Sequence, residues 1–236
     1  MKNITDLGVF QDRVFAVDII PFRFINTEST ITAIKQAFNI KEVEQLADKV
    51  NFSMGEVKLN KKIKILDFLS IEPRRIWFTL FGTSKEADSF YESLREIIIR
   101  FDQNQLFQVS KPLTKIEQTV CTVTLDVDLR NVFVSKFLDY LNSSVIEKCS
   151  SKSAKAYIRG MRFSTEIFYE IKDPDLTSHN ISLYPTYLTI ESRTDTLLEE
   201  GRFYTISPTD SDTHLKLIEE FEKLFKEKIS PKGIRD

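Results

Sequence analysis

Two spacings of apolar residues alternate along this chain. Residues 75–81, Arg75-Ile76-Trp77-Phe78-Thr79-Leu80-Phe81, are rich in aromatic and β-branched side chains and predict a strand. Gly82-Thr83-Ser84 interrupts them, with Ser84 placed to cap a helix. Ala87, Phe90, Tyr91, Leu94, Ile97, Ile98 and Phe101 then recur at spacings of three and four, which lines one side of an amphipathic helix. The C-terminal stretch repeats the arrangement. Residues 202–206 predict a short strand, Ser207-Pro208-Thr209-Asp210 a turn with a capping residue, and Leu217, Phe221, Leu224 and Phe225 one face of a final helix.

The beginnings of the two halves also correspond. Residues 13–24 form an apolar, strand-like run, followed by a helical stretch with Ile31, Ile34, Ala37 and Phe38 that the pattern extends through residues 41–50. In the second half Cys121, Val123, Leu125, Val127 and Leu129 alternate with Thr122, Thr124, Asp126 and Asp128, the signature of a half-buried strand. Val134, Phe137, Leu138, Leu141 and Val145 predict the helix after it. Further strands are expected over residues 52–59 and 62–71 in the first half, and 157–171 and 181–191 in the second. A polar stretch with Pro112, over residues 102–116, joins the halves.

The expected fold class is therefore α+β, with tandem β-α-β-β-β-α units over residues 1–106 and 107–236. Each unit would form an antiparallel sheet with helices on one face. This element order resembles the duplicated saddle of the TATA-binding-protein-like architecture. The resemblance is one of topology, carries no sequence motif, and implies a fold and not an activity.

A sheet with helices on one face must meet water or a partner with the other. In the second half that face is expected to carry Thr122, Thr124, Asp126, Asp128, Arg162, Ser164, Glu166 and Glu170, all compatible with water. In the first half the strand at 75–81 is apolar on both sides, Ile76, Phe78 and Leu80 against Trp77 and Phe81. The strand before it alternates Lys62, Lys64, Leu66, Phe68 and Ser70 with Ile63, Ile65 and Leu69. Aromatic groups on a second face need covering. The N-terminal segment or the other unit could cover them. The alternative is a protein interface anchored by Trp77, Phe81 and Phe68.

Composition narrows the classes without naming one. The 236 residues hold 33 Lys+Arg against 35 Asp+Glu, a formal charge of −2, so the chain lacks the overall basic character that nucleic-acid binding favours. The longest apolar run, residues 14–17, is far short of the roughly 20 residues that cross a bilayer, and residues 1–8 lack a signal-peptide core. A cytoplasmic protein is expected. Cys121 and Cys149 make neither a disulfide framework nor a zinc site, and Cys121 reads as a small buried hydrophobe. Charge is uneven. Lys148, Lys152, Lys155, Arg159 and Arg162 span a segment without an acid, whereas residues 166–222 hold thirteen acids against four Lys/Arg. Lys58, Lys61, Lys62 and Lys64 with Arg74 and Arg75 form a second basic cluster. Such runs are ordinarily solvated faces. As a functional site the 148–162 segment would contact phosphates, with Tyr157 stacking on a base.

Six glycines, and no P-loop, dinucleotide fingerprint, nucleophile elbow or HExxH, leave little catalytic vocabulary. His179 and His214 are expected at the surface. Asp126 and Asp128 point the same way from one strand, and with Glu166 they could hold a divalent cation that activates water on a phosphodiester. An alternating strand places such residues outward in any case. The reading that follows is a non-catalytic interaction protein, without a cofactor, docking a protein partner or itself as a homo-oligomer. Its alternatives are a nucleic-acid-binding protein using the sheet face and the 148–162 segment, and a metal-dependent nuclease or phosphoesterase.

Overall fold

The computed structural model describes residues 2–15, 18, 20–102, 105–127, 160–165, 168–173, 176–182, 186–197 and 200–229. The helix expected on Val134 to Val145 lies outside them. The chain is α+β. Its elements run β1 (Lys2–Val14), α1 (Phe22–Ile25), α2 (Glu28–Ala37), β2 (Glu42–Gln45), β3 (Val50–Leu59), β4 (Lys62–Glu72), β5 (Arg75–Leu80), α3 (Ser84–Phe101), α4 (Leu106–Val109), β6 (Thr114–Thr124), β7 (Gly160–Thr165), β8 (Phe168–Asp173), β9 (Leu176–Ser182), β10 (Thr186–Ser192), β11 (Arg202–Ser207) and α5 (Ser211–Ile229). Among the described residues none of the helices is long and apolar enough to cross a membrane.

Nine strands form one antiparallel sheet in the order β2-β3-β4-β5-β1-β6-β11-β10-β7, and β8 pairs with β9 in a separate hairpin. β1 and β6 are adjacent at its middle, with Val9 opposite Thr119 and Gln11 opposite Glu117. One sheet thus runs through both halves of the sequence. β5 flanks β1, and β11 flanks β6.

Helices cover one face. Phe90 of α3 meets Phe78 of β5 and Phe38 beyond α2 in edge-on ring contacts, with centroids 4.8 and 4.9 Å apart. Val9, Phe52, Leu69, Ile71, Ile76 and Leu80 complete this core with Leu94 and Ile98 of α3. A smaller core joins Cys121, Val123, Leu125, Ile190 and Phe203 to Ile218 of α5. α3 begins with a capping box. The Thr83 hydroxyl accepts from the Glu86 N–H at 3.3 Å, and Glu86 Oε2 accepts from the Thr83 N–H at 2.8 Å. Thr83 is thus the cap and Ser84 the first helical residue.

Several expectations are corrected. The first strand is residues 2–14, not 13–24, and residues 22–25 are helical. Two register shifts, with Asn3 and Asp6 at positive φ, break the alternation of β1. Its inward positions also include polar Gln11 and Arg13, so no apolar period marks it. Residues 42–45 are a strand and not a continued helix. Glu and Gln favour helices in isolation, but pairing with β3 prevails here, and the exposed charges suit a sheet edge. The expected strand over 157–171 holds β7 and most of β8, and that over 181–191 holds most of β10, with β9 largely in the interval between them. Finally, β4 is not one uninterrupted alternation. Leu66 pairs with Leu80 and Phe68 with Thr79, so Asp67 is an extra, bulged residue. The bulge puts Leu66 on the helix side with Leu69 and Ile71, and Ile63 and Ile65 on the open side with Phe68.

Candidate functional site

The open face of the first half carries an aromatic platform. Trp77 of β5 stacks on Phe68 of β4, with ring centroids 4.6 Å apart and planes 29° apart, and meets Phe10 of β1 at 6.0 Å. All three rings are half-buried. Each such ring pair contributes about 0.5–1.5 kcal/mol beyond the area it buries. Polar contacts pin the margin. The Trp77 indole N–H donates to Glu72 Oε1 at 3.2 Å. The Arg75 guanidinium donates to both Asp12 carboxylate oxygens, at 2.9 and 2.6 Å, and lies 5.9 Å from the Trp77 ring centre. Asp12 is buried, with both carboxylate oxygens held by that fork.

The platform continues into exposed apolar side chains. Phe81 follows β5 and is 38% exposed, while Ile65 and Ile63 are 55% and 68% exposed. The Phe81 N–H donates to the Ile65 carbonyl at 2.8 Å, which keeps the two together. Gly8 of β1 leaves room beside Phe81: a Cβ there would lie 3.2 Å from Val120 Cγ2 and 3.7 Å from Phe81 Cδ1. Beyond Phe81 the surface opens into a cleft bounded by Ile65, Thr83 and Asp6.

The structure therefore brings Phe68 and Trp77 into direct contact and places Phe81 at the far end of the same strip. Phe10, Ile63 and Ile65 were missed. Phe10 stands in a strand whose period is broken, and the isoleucines change sides only because Asp67 bulges. A bulge has no signature in the alternation itself.

The second half is more polar on this face. Thr122 and Tyr204 face each other across β6 and β11, with Glu191 next in register on β10. Arg162 is exposed, with its guanidinium 3.6 Å over the Tyr187 ring. Lys148, Lys152, Lys155, Tyr157 and Arg159 lie outside the described residues, as do Asp128 and Glu166. Asp126 stands past the end of β6, and its N–H donates to Glu222 Oε1 at 2.9 Å. Glu170 belongs to β8, in the separate hairpin. Among the described residues no three His, Cys, Asp or Glu side chains converge as a metal site.

His214 departs most from expectation. It is completely buried on the side of α5 that faces the sheet, not at the surface. Its Nδ1 lies 2.7 Å from the Ser207 hydroxyl, and its Nε2 3.0 Å from the Thr205 hydroxyl and 3.4 Å from Cys121 Sγ. Hydroxyl partners on β11 allow a histidine on an apolar helix face, and helical spacing alone does not reveal them. Burial pushes the Cys121 thiol up, against a smaller opposing effect of the Thr205 hydroxyl, so it stays protonated and is no nucleophile at neutral pH.

On the helix side of the central strands a charged cluster joins the halves. Asp88 of α3 accepts from Arg13 at 2.6 Å, Lys115 at 2.7 Å and Gln11 at 2.9 Å. The Arg13 guanidinium lies 3.8 Å over Tyr91. Every partner here belongs to the protein itself, and the cluster reads as the joint between α3 and the β1–β6 pair.

No protein-family model matches this chain, and no curated protein matches it.

Proposed function

We propose that this protein is a non-catalytic docking subunit or adaptor that binds a protein, including a second copy of itself, through the open face of β1, β4 and β5. The observation that carries the reading is the Phe10–Trp77–Phe68 platform running into exposed Phe81, Ile65 and Ile63. Rigid aromatic groups held at their margins by ion pairs and hydrogen bonds suit interface anchors, because little side-chain entropy is left to lose on binding. Lys61 of the β3–β4 turn and Lys62 at the start of β4 are exposed at the rim, where they would affect the rate of encounter more than the strength of the complex.

The tandem reading, with units over 1–106 and 107–236, belongs to this proposal. Its support is the sheet order outward from the middle, β1-β5-β4-β3 on one side and β6-β11-β10-β7 on the other. The registers agree with it. Val9 pairs with both Thr119 and Leu80, and Thr119 pairs with both Val9 and Ser207, so an approximate twofold axis would pass through the Val9–Thr119 pair. The TATA-binding-protein-like resemblance rests on the same relations.

The test uses Phe81→Glu and Ile65→Glu, which change exposed positions. Light scattering after size exclusion and capture from cells of the source organism are compared with wild type. The reading expects self-association or a retained protein that both variants lose, with unchanged thermal unfolding. A monomer that retains the same material as its variants overturns it. A retained nucleic acid whose binding falls steeply with salt would replace it with the nucleic-acid reading.

A further inference from the structure

The first turn of α5 is seated on the sheet through neutral polar groups. Either tautomer of the neutral ring is paired, Nδ1–H donating to Ser207 while Thr205 donates to Nε2, or Nε2–H donating to Thr205. In the second arrangement Thr205 Oγ1 donates to the Cys121 carbonyl at 3.1 Å, and Nδ1 takes the Ser207 hydroxyl proton at 2.7 Å. Ser207 then accepts from the Thr209 hydroxyl at 2.7 Å. In both arrangements each nitrogen of the uncharged ring is paired by a hydroxyl group.

A second ring proton would face the Ser207 or the Thr205 hydroxyl proton, and that hydroxyl would have to turn. It would also place a cation at the positive ends of two helices, since α3 and α5 begin side by side. The groups nearby offer little compensation. From β6 the ring meets the Cys121 thiol, and from β11 only hydroxyls. Asp210, just before α5, is bonded to Thr213, and Asp212 of α5 to Lys85 of α3. No carboxylate hydrogen-bonds the ring among the described residues.

We propose that the start of α5 is an acid-sensitive clasp: an uncharged His214 holds α5 to β6 and β11, and protonation releases the first turn, parting Ser211 from Ser84 and loosening the junction of the two helices. Burial supports this by lowering the imidazole pKa from 6.5 to about 4. The clasp is closed at neutral pH and strained as the pH falls below about 6.5, where a released histidine would take its proton.

Hydrogen exchange of the whole protein, corrected for intrinsic rates, compares neutral pH with about pH 4. Wild type is expected to lose protection at least tenfold over residues 207–217, while residues 90–98 of α3 stay protected. His214→Gln keeps an amide donor and acceptor without a titratable charge, and it should keep protection at both pH values. Equal loss in wild type and His214→Gln overturns the proposal, as does retained protection of α5 in wild type or simultaneous loss in α3. If His214→Gln does not fold, ring resonances of wild type decide, with His179→Gln for assignment. The His214 ring must titrate together with the loss of amide signals from the first turn of α5, and titration with those signals unmoved overturns the clasp.

Discussion

Ser84 and Ser211 exchange hydrogen bonds across 127 residues of sequence. The Ser84 N–H donates to the Ser211 hydroxyl at 3.0 Å, and the Ser211 N–H donates to the Ser84 hydroxyl at 2.7 Å. Each is the first residue of its helix, and both are buried. The free N–H groups that open α3 and α5 are thus satisfied by each other's side chain instead of by water. Ser84→Ala or Ser211→Ala leaves one buried N–H unpaired, an expected loss of about 1–2 kcal/mol each. The double variant should fall short of additivity by about 0.5 kcal/mol or more, because both act on one junction. Urea unfolding of the four proteins measures the cycle, and strict additivity would mean that the two bonds act independently.

Gly201 precedes β11 at a φ of 61°, and a Cβ there would collide with the Leu125 carbonyl oxygen. The Gly201 carbonyl in turn accepts from the Leu125 N–H at 2.8 Å, so the contact cannot widen without losing that bond. Gly201→Ala is expected to destabilise by about 2 kcal/mol or more, combining left-handed strain with the collision. Thermal unfolding reads the loss, and a neutral substitution would show that the β6–β11 end gives way freely.

Arg75 holds the buried Asp12 with a two-pronged bond at the edge of the aromatic platform. Removal of Arg75 strands that carboxylate beside Trp77. Arg75→Ala is expected to lose about 2 kcal/mol, below the usual range for a fully buried pair because the Arg75 side chain is 37% exposed. Asp12→Asn with Arg75→Ala should recover part of it. The sole tryptophan gives a direct reading, since its emission should shift in Arg75→Ala and return toward wild type in the double variant.

Asp88 has its carboxyl held below the ordinary value of 3.8. Burial pushes it up, but the hydrogen bonds from Lys115 and Gln11 and the charges of Lys115 and Arg13 outweigh this. A carboxyl lowered by folding stabilises the protein above its unfolded pKa, and the contribution fades as the pH falls through that value to the folded one. Asp88→Asn should therefore flatten the dependence of stability on pH below about 4, and lower stability at neutral pH. Unfolding midpoints across that range check the sign. The His214 contribution fades earlier, between about 6.5 and 4, so the two are separable.

Legibility in the sequence followed how local each feature is. α3 and β5 were readable because a glycine break and seven apolar positions act within one short stretch, although the cap is Thr83 and not the expected Ser84. The aromatic face was half readable. Trp77 and Phe68 were placed together, but Phe10 was lost with β1, whose inward Gln11 and Arg13 bond to each other and to Asp88 far along the chain. His214 was misplaced for a similar reason. Its partners Cys121, Thr205 and Ser207 come from two strands, and no spacing within α5 announces them.

The amino-acid order alone determined the class of the chain, the helices with strong apolar periods, and the presence of more aromatic surface than one helix-covered face can use. Those follow from backbone geometry and side-chain polarity over a few residues. Tertiary structure decided the rest: β1 beside β6, Ile63 and Ile65 turned outward by a bulge, His214 enclosed, and Ser84 bonded to Ser211. Each of these depends on a partner tens to more than a hundred residues away. Whether a polar group is buried or a strand changes phase is settled only by what packs against it.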